Sequence, residues 1–182
     1  MTFTIHPRIP IYDARFMASV MTDACGVLIC AWRSVSALVG LLHQHGHGVS
    51  AALGWIDPTI PDADLPDIPG LPMTLARARD VIDPREADAP TWAHVQQLLD
   101  AARAAPAGTV SLVFCHAAIA RSTATAMAII ADRRGPGSEA AAVAAVLAQR
   151  PMARPNSLIT QLADGVLERR GRLVRAVEEG VR

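Results

Sequence analysis

Val110-Ser-Leu-Val-Phe-Cys115-His-Ala-Ala-Ile-Ala-Arg121-Ser-Thr123 is the stretch on which the fold and the chemistry of this 182-residue chain turn. Val110 to Phe114 is a short, apolar, β-favouring run of the kind that forms a buried strand. From Ser122 to Arg134 the pattern is helical, and Gly135-Pro136-Gly137 stops it. Between them lie Cys115 and a six-residue turn, His116 to Arg121. A strand that feeds a helix through so short a turn can aim successive backbone N–H groups at one point. The helix dipole adds positive potential there, which makes the turn an anion trap.

The side chains at its two ends fit that chemistry. A helix N-terminus and a nearby arginine favour the thiolate form of a cysteine, so Cys115 is the candidate nucleophile. Arg121, where the turn closes, carries a planar fork that takes two phosphate oxygens at once. Ser122 can hydrogen-bond the sulfur and steady it as a leaving group. His116, Ala117, Ala118, Ile119 and Ala120, with Arg121, are the candidate substrate-binding residues of the cradle. The bare Cys-x5-Arg spacing recurs by chance; the strand before it, the helix after it and the acidic loop upstream give it weight.

Working outward, Val27 to Trp32 reads as a strand. Ser34 then caps a helix bearing Val35, Leu38, Val39 and Leu42, which ends near Gly46 to Gly48. Val49 to Trp55, closed by Asp57-Pro58, completes a βαβ unit. Pro58 to Pro72 holds five prolines and reads as a surface loop. Met73 to Arg79 is a third strand, and Asp80 to Pro90 an acidic loop. Thr91 caps a helix with Val95, Leu98, Leu99 and Ala102 on one face, ended by Pro106 to Gly108. Beyond the central loop, helices are expected over Ser138 to Gln149 and Asn156 to Arg169, with a short one past Gly171. The expectation is an α/β fold: one domain over 1–182, core roughly 26–170, with a central, mostly parallel sheet of about four to five strands and helices on both faces.

Composition narrows the partners. Hydrophobic residues make up 51% of the chain, and 17 basic residues balance 17 acidic ones, so no global field steers it to nucleic acid or an anionic membrane. Every basic residue is arginine, which with the alanine richness points to a GC-rich bacterial genome. Cys25 to Leu42, the most apolar stretch, is broken by Arg33, Ser34, Ser36 and Gly40 and does not read as a membrane span. The opening MTFTIHPRIPIYDARF lacks a signal-peptide pattern. Three cysteines without a CxxC pair suit reduced thiols in the cytoplasm, with Cys25 and Cys30 in the core. His43, His45 and His47 alternate at a helix end with no cysteine or carboxylate beside them, so no metal is expected there, and no cofactor elsewhere. Trp32 and Trp55 read as core or rim aromatics, and Trp92 as a brace for the acidic loop.

Phe114-Cys-His-Ala-Ala-Ile-Ala-Arg-Ser-Thr123 resembles the HCxAGxxRST signature of the protein tyrosine and dual-specificity phosphatase superfamily, above all its small bacterial tyrosine-phosphatase-like members. Leu75 to Asp80 followed by Ala89-Pro90-Thr91 is similar to the general-acid loop of that family, and Arg150-Pro-Met-Ala-Arg-Pro-Asn156 to a segment found after the phosphate loop. The resemblance implies a phosphatase-like fold and hydrolysis of phosphate monoesters, of the phosphotyrosine type, through a cysteinyl-phosphate on Cys115. Substrates would be a phosphorylated protein or a small phosphate ester. A carboxylic acid must protonate the leaving oxygen. Asp80 and Asp83, 35 and 32 residues before Cys115, both qualify, and spacing does not choose between them.

Three positions depart from the signature. Phe114 replaces its histidine, Ala118 a glycine that takes φ > 0, and Ala120 a serine or glycine. These leave open a noncatalytic phosphate-binding pseudophosphatase, and a rhodanese-like sulfurtransferase shares the cysteine cradle. Nothing in the sequence sets the oligomeric state.

Overall fold

The structure, a computed structural model, describes residues 14–181; the opening 1–13, read above for a signal peptide, lies outside the described residues. In chain order the elements are α1 (Ala14–Thr22), β1 (Val27–Ala31), α2 (Val35–Gln44), β2 (Val49–Ile56), β3 (Met73–Arg77), α3 (Trp92–Ala104), β4 (Val110–Cys115), α4 (Arg121–Arg134), α5 (Glu139–Gln149), α6 (Ser157–Val166) and α7 (Arg172–Gly180). The four strands form one sheet in the order β1-β4-β2-β3, and every pairing is parallel.

The βαβ unit of β1, α2 and β2 therefore needs amending: its strands are not neighbours, because β4 lies between them. All six residues of β4 are buried, and a strand apolar on both faces is stabilised most at the centre of a covered sheet. Its side chains alternate. Val113 and Cys115 join the core under α3, α4, α5 and α6, whereas Leu112 and Phe114 join the core under α1 and α2.

Phe114 pairs with Gly54 across β2 and β4, and a Cβ at Gly54 would lie 2.1 Å from Phe114 Cζ. The glycine is the hollow that admits the ring. Phe114 is thereby committed to the face opposite Cys115.

Local differences from the sequence reading have local causes. Trp32 to Ser34 form a 3-10 turn that runs into α2, and the Ser34 side chain makes no capping bond. Past Arg77, Ala78 N–H still donates to Ile56 O, but Arg79 N–H donates to Asp88 O, so the chain leaves the sheet to close the acidic loop. Thr91 does cap α3: its Oγ1 accepts from His94 N–H, and His94 Nδ1 accepts from Thr91 N–H. Asn156 is the cap of α6 rather than its first residue. The sequence reading did not foresee α1, which buries Met17 and Val20 beside Leu28 and Val39. No helix among the described residues is long and apolar enough to cross a membrane.

Candidate active site

In a parallel sheet every strand points the same way, so the loops after β1, β2, β3 and β4 meet at one edge, where open α/β sheets carry their sites. Cys115 is the last residue of β4 and is buried. His116, Ala117 and Ile119 are exposed, Ala118 is buried and Ala120 half-buried; Arg121 opens α4.

Ala118 has φ +58°. The loop thus takes the left-handed conformation that the resemblance implied, with alanine in place of glycine. That conformation costs a residue with a Cβ about 1–2 kcal/mol, although glycine gives back part of it as lost chain entropy. Ala118→Gly is therefore expected to raise stability by about 1 kcal/mol, or roughly 2–4 °C in a thermal melt. A lower melting temperature would mean that the methyl group packs better than the backbone strains.

Cys115 Sγ lies 3.1 Å from Ser122 Oγ, in a buried pair. Arg121 is only 4% exposed; its Nη1 donates to Ala78 O at 2.6 Å, and its Nε has no hydrogen-bond partner in the protein. Asp80 Oδ2 is 3.8 Å from that Nε. A buried guanidinium with an unpaired N–H is unfavourable, and an oxyanion in the cradle would satisfy it with a charge-assisted bond.

The two candidate acids part company here. Asp80 Oδ1 accepts from Asn156 Nδ2 at 2.8 Å, and its other oxygen faces Arg121. Asp83 instead turns to its own loop, taking bonds from the Arg85 side chain and backbone N–H at 2.7–3.2 Å. Those bonds hold its carboxyl below the usual carboxylate range. The structure brings Asp80 to Arg121 and pairs Asp83 with Arg85.

Asn156 ties three segments together. Its Nδ2 also donates to Val81 O at 3.0 Å, its Oδ1 accepts from Ile159 N–H at 3.0 Å, and its own N–H donates to Ala120 O at 3.2 Å. Arg154 N–H donates to Ile119 O at 2.9 Å. In the sequence Asn156 opens a helix and Arg150 to Asn156 resembles a segment that follows the loop; in the structure these residues brace both the loop after Cys115 and the acidic loop.

Asp57, at the end of β2, was not foreseen. Hydrogen bonds from the Thr59 side chain and backbone hold its carboxyl low, and the fields of Arg121 and Arg79 add to this. Asp57-Pro58 was read only as a strand end, because nothing in the sequence says that β2 lies beside β4.

Of the other residues singled out, Cys30, on β1 beside β4, is within electrostatic reach of Cys115. Burial pushes the Cys30 thiol up to about 12, so it stays protonated, and half-buried Cys25 precedes β1 at the opposite edge. Trp55 is a core residue whose Nε1 donates to Thr125 Oγ1 at 2.7 Å. Trp32 is buried with the Arg33 guanidinium 5.0 Å from its ring, and Trp92 packs beside Gly165 of α6. His43, His45 and His47 follow one another through the end of α2. Among the described residues no cluster of three metal-ligating side chains is present.

No protein-family profile matches the sequence, and no curated protein matches it. Solved structures do. Human DUSP28 is 25% identical, with a TM-score of 0.62 over 80% of this chain and 94% of its own. A mouse putative dual specificity phosphatase complexed with zinc tungstate is 24% identical, with a TM-score of 0.63 over 85% of this chain and 89% of its own. The human tyrosine phosphatase-like serine/threonine/tyrosine-interacting protein is 19% identical, with a TM-score of 0.57 over 78% and 91%. The chain has the fold of the dual-specificity phosphatases.

Proposed function

We propose that this chain is a cysteine-dependent phosphatase acting on phosphate monoesters of the phosphotyrosine type in a reducing compartment such as the cytoplasm. The observation that carries the reading is the pairing of Cys115 Sγ with Ser122 Oγ at 3.1 Å, at the mouth of a loop closed by a buried arginine with an unpaired Nε. The fold shared with human DUSP28 supports it, and favours it over the rhodanese-like alternative.

In the proposed first step the Cys115 thiolate attacks phosphorus. The P–S bond forms, the ester P–O bond breaks, and Asp80 gives its proton to the leaving oxygen. Arg121 and the loop N–H groups hold the charge that grows on the phosphoryl oxygens. In the second step the Asp80 carboxylate takes a proton from water, whose oxygen attacks phosphorus. The P–S bond breaks, releasing inorganic phosphate and restoring the thiolate, which Ser122 steadies. Both steps use only protein groups and water.

The test is hydrolysis of para-nitrophenyl phosphate with inhibition by vanadate, followed by a comparison of acids on an alkyl phosphate, a poor leaving group. Asp80→Asn is expected to lower kcat by about 10²–10³-fold and to remove the basic limb of the pH–rate profile. Asp83→Asn, which breaks only a surface pair with Arg85, is expected to stay within about threefold of the parent. Equal, small effects of both would move the donor elsewhere.

A noncatalytic phosphate-binding module is the second reading, and Phe114 favours it. The ring is buried on the far face over Gly54 and offers no polar group to the cysteine that follows. Phosphate binding without hydrolysis of any phosphate monoester would select that reading.

A further inference from the structure

Four large apolar side chains among the described residues are exposed: Ile82 (66%), Trp92 (50%), Ile119 (42%) and Met152 (73%). Three of them sit on the three segments tied around Cys115. Ile119 is in the phosphate loop, and its carbonyl accepts from Arg154 N–H; Met152 lies two residues before that donor. Ile82 follows Val81, whose carbonyl accepts from Asn156 Nδ2. These bonds bring the segments that carry the three exposed side chains together beside the loop after Cys115. Apolar groups left in water around an anion site, where the other large apolar side chains among the described residues are buried wholly or in part, mark a surface for a ligand with an apolar body.

The charge at that edge says which ligand. The loop from Arg79 to Asp88 carries Asp80, Asp83, Glu86 and Asp88 against Arg79 and Arg85. The loop after β2 carries Asp57, Asp62, Asp64 and Asp67, of which Asp62 pairs with Arg77 of β3. It folds back over the end of β1, where Asp64, Leu65 and Pro66 line a cleft with Trp32 and Arg33. An anionic bilayer meets repulsion from these carboxylates, and so does a peptide with acidic neighbours around its phosphate. A peptide whose phosphorylated residue is flanked by apolar side chains meets none, and it covers the exposed rim.

Resting on the phosphatase or phosphate-binding reading of the cradle, we infer that Ile82, Ile119 and Met152 form a specificity rim that selects phosphopeptides with apolar flanks over those with acidic flanks. Ile119 has a second duty in the loop itself, whereas Ile82 and Met152 serve the rim alone.

The test uses the full chain carrying Cys115→Ser, so that binding is read without turnover. Fluorescence anisotropy would compare phosphotyrosine peptides with leucine, serine or glutamate at the two positions on each side of the phosphorylated residue. The leucine-flanked peptide is expected to bind at least about tenfold tighter than the glutamate-flanked one, with the serine-flanked peptide between them. Adding Ile82→Ser and Met152→Ser is expected to erase most of the leucine advantage and leave the affinity for inorganic phosphate unchanged.

Equal affinities for the three peptides would overturn the inference. So would a leucine preference that survives the double substitution, or co-sedimentation with anionic phospholipid vesicles in preference to peptide binding. Failure to bind inorganic phosphate at all would instead remove the reading of the cradle on which the inference stands, and the inference with it.

Discussion

Cys115→Ser is expected to lower kcat/KM on para-nitrophenyl phosphate by at least about 10⁴-fold, since removing a nucleophile removes the covalent route while leaving the binding site. A serine oxygen is a much weaker nucleophile than a cysteine sulfur unless a base activates it, and the hydrogen-bond partner of the sulfur here is the Ser122 hydroxyl. The same variant is expected to keep its affinity for inorganic phosphate within about threefold, because the backbone of the loop and Arg121 are untouched. Calorimetric titration with phosphate beside the turnover assay separates the two effects. Near-parental turnover would exclude Cys115 as nucleophile. Phosphate binding lost together with turnover would mean that the sulfur holds the loop in shape rather than reacting.

Arg121→Lys is expected to weaken phosphate binding at least about tenfold and to lower kcat/KM by about 10²–10³-fold, the scale of losing one preorganised donor to the transition-state charge. The guanidinium does two things at once here. Its Nη1 is anchored on Ala78 O at 2.6 Å, while Nε is left with a free N–H beside Asp80. A lysine ammonium is a single point of charge on a flexible stem, so it can keep the anchor or reach the anion but not hold the fork between them. Because the position is only 4% exposed, a thermal melt must accompany the kinetics to separate misfolding from lost recognition. Unchanged phosphate affinity in a folded variant would remove Arg121 from the site.

The parts of this protein that were legible in the sequence are those whose partners are near in the chain. Strand β4, the turn and helix α4 are contiguous, so Cys115, Arg121 and Ser122 could be assembled on paper, and the Sγ–Oγ contact spans seven positions. The positive φ of Ala118 falls at the glycine position of the signature that the turn resembles, and the capping box at Thr91 spans three positions. Helix α1 escaped notice although it is equally local, because its nine residues acquire stability only by burying Met17 and Val20 on a sheet that the sequence does not display.

Tertiary structure alone decided the rest. The order β1-β4-β2-β3 puts Asp57 near Arg121, and no periodicity along β2 records which strand lies beside it. Asp80 and Asp83 are equivalent by type and spacing. What separates them is a hydrogen bond from Asn156, 76 positions away, and a guanidinium that reaches Ala78 O across 43. By itself the sequence determined the sheet class and the turn that brings Cys115, Arg121 and Ser122 together, since backbone propensity, turn geometry and capping act over a few residues. The separate surroundings of Asp80 and Asp83 and the bracing of the loops depend on contacts between distant segments, whose free energy exists only once the chain has closed around its core.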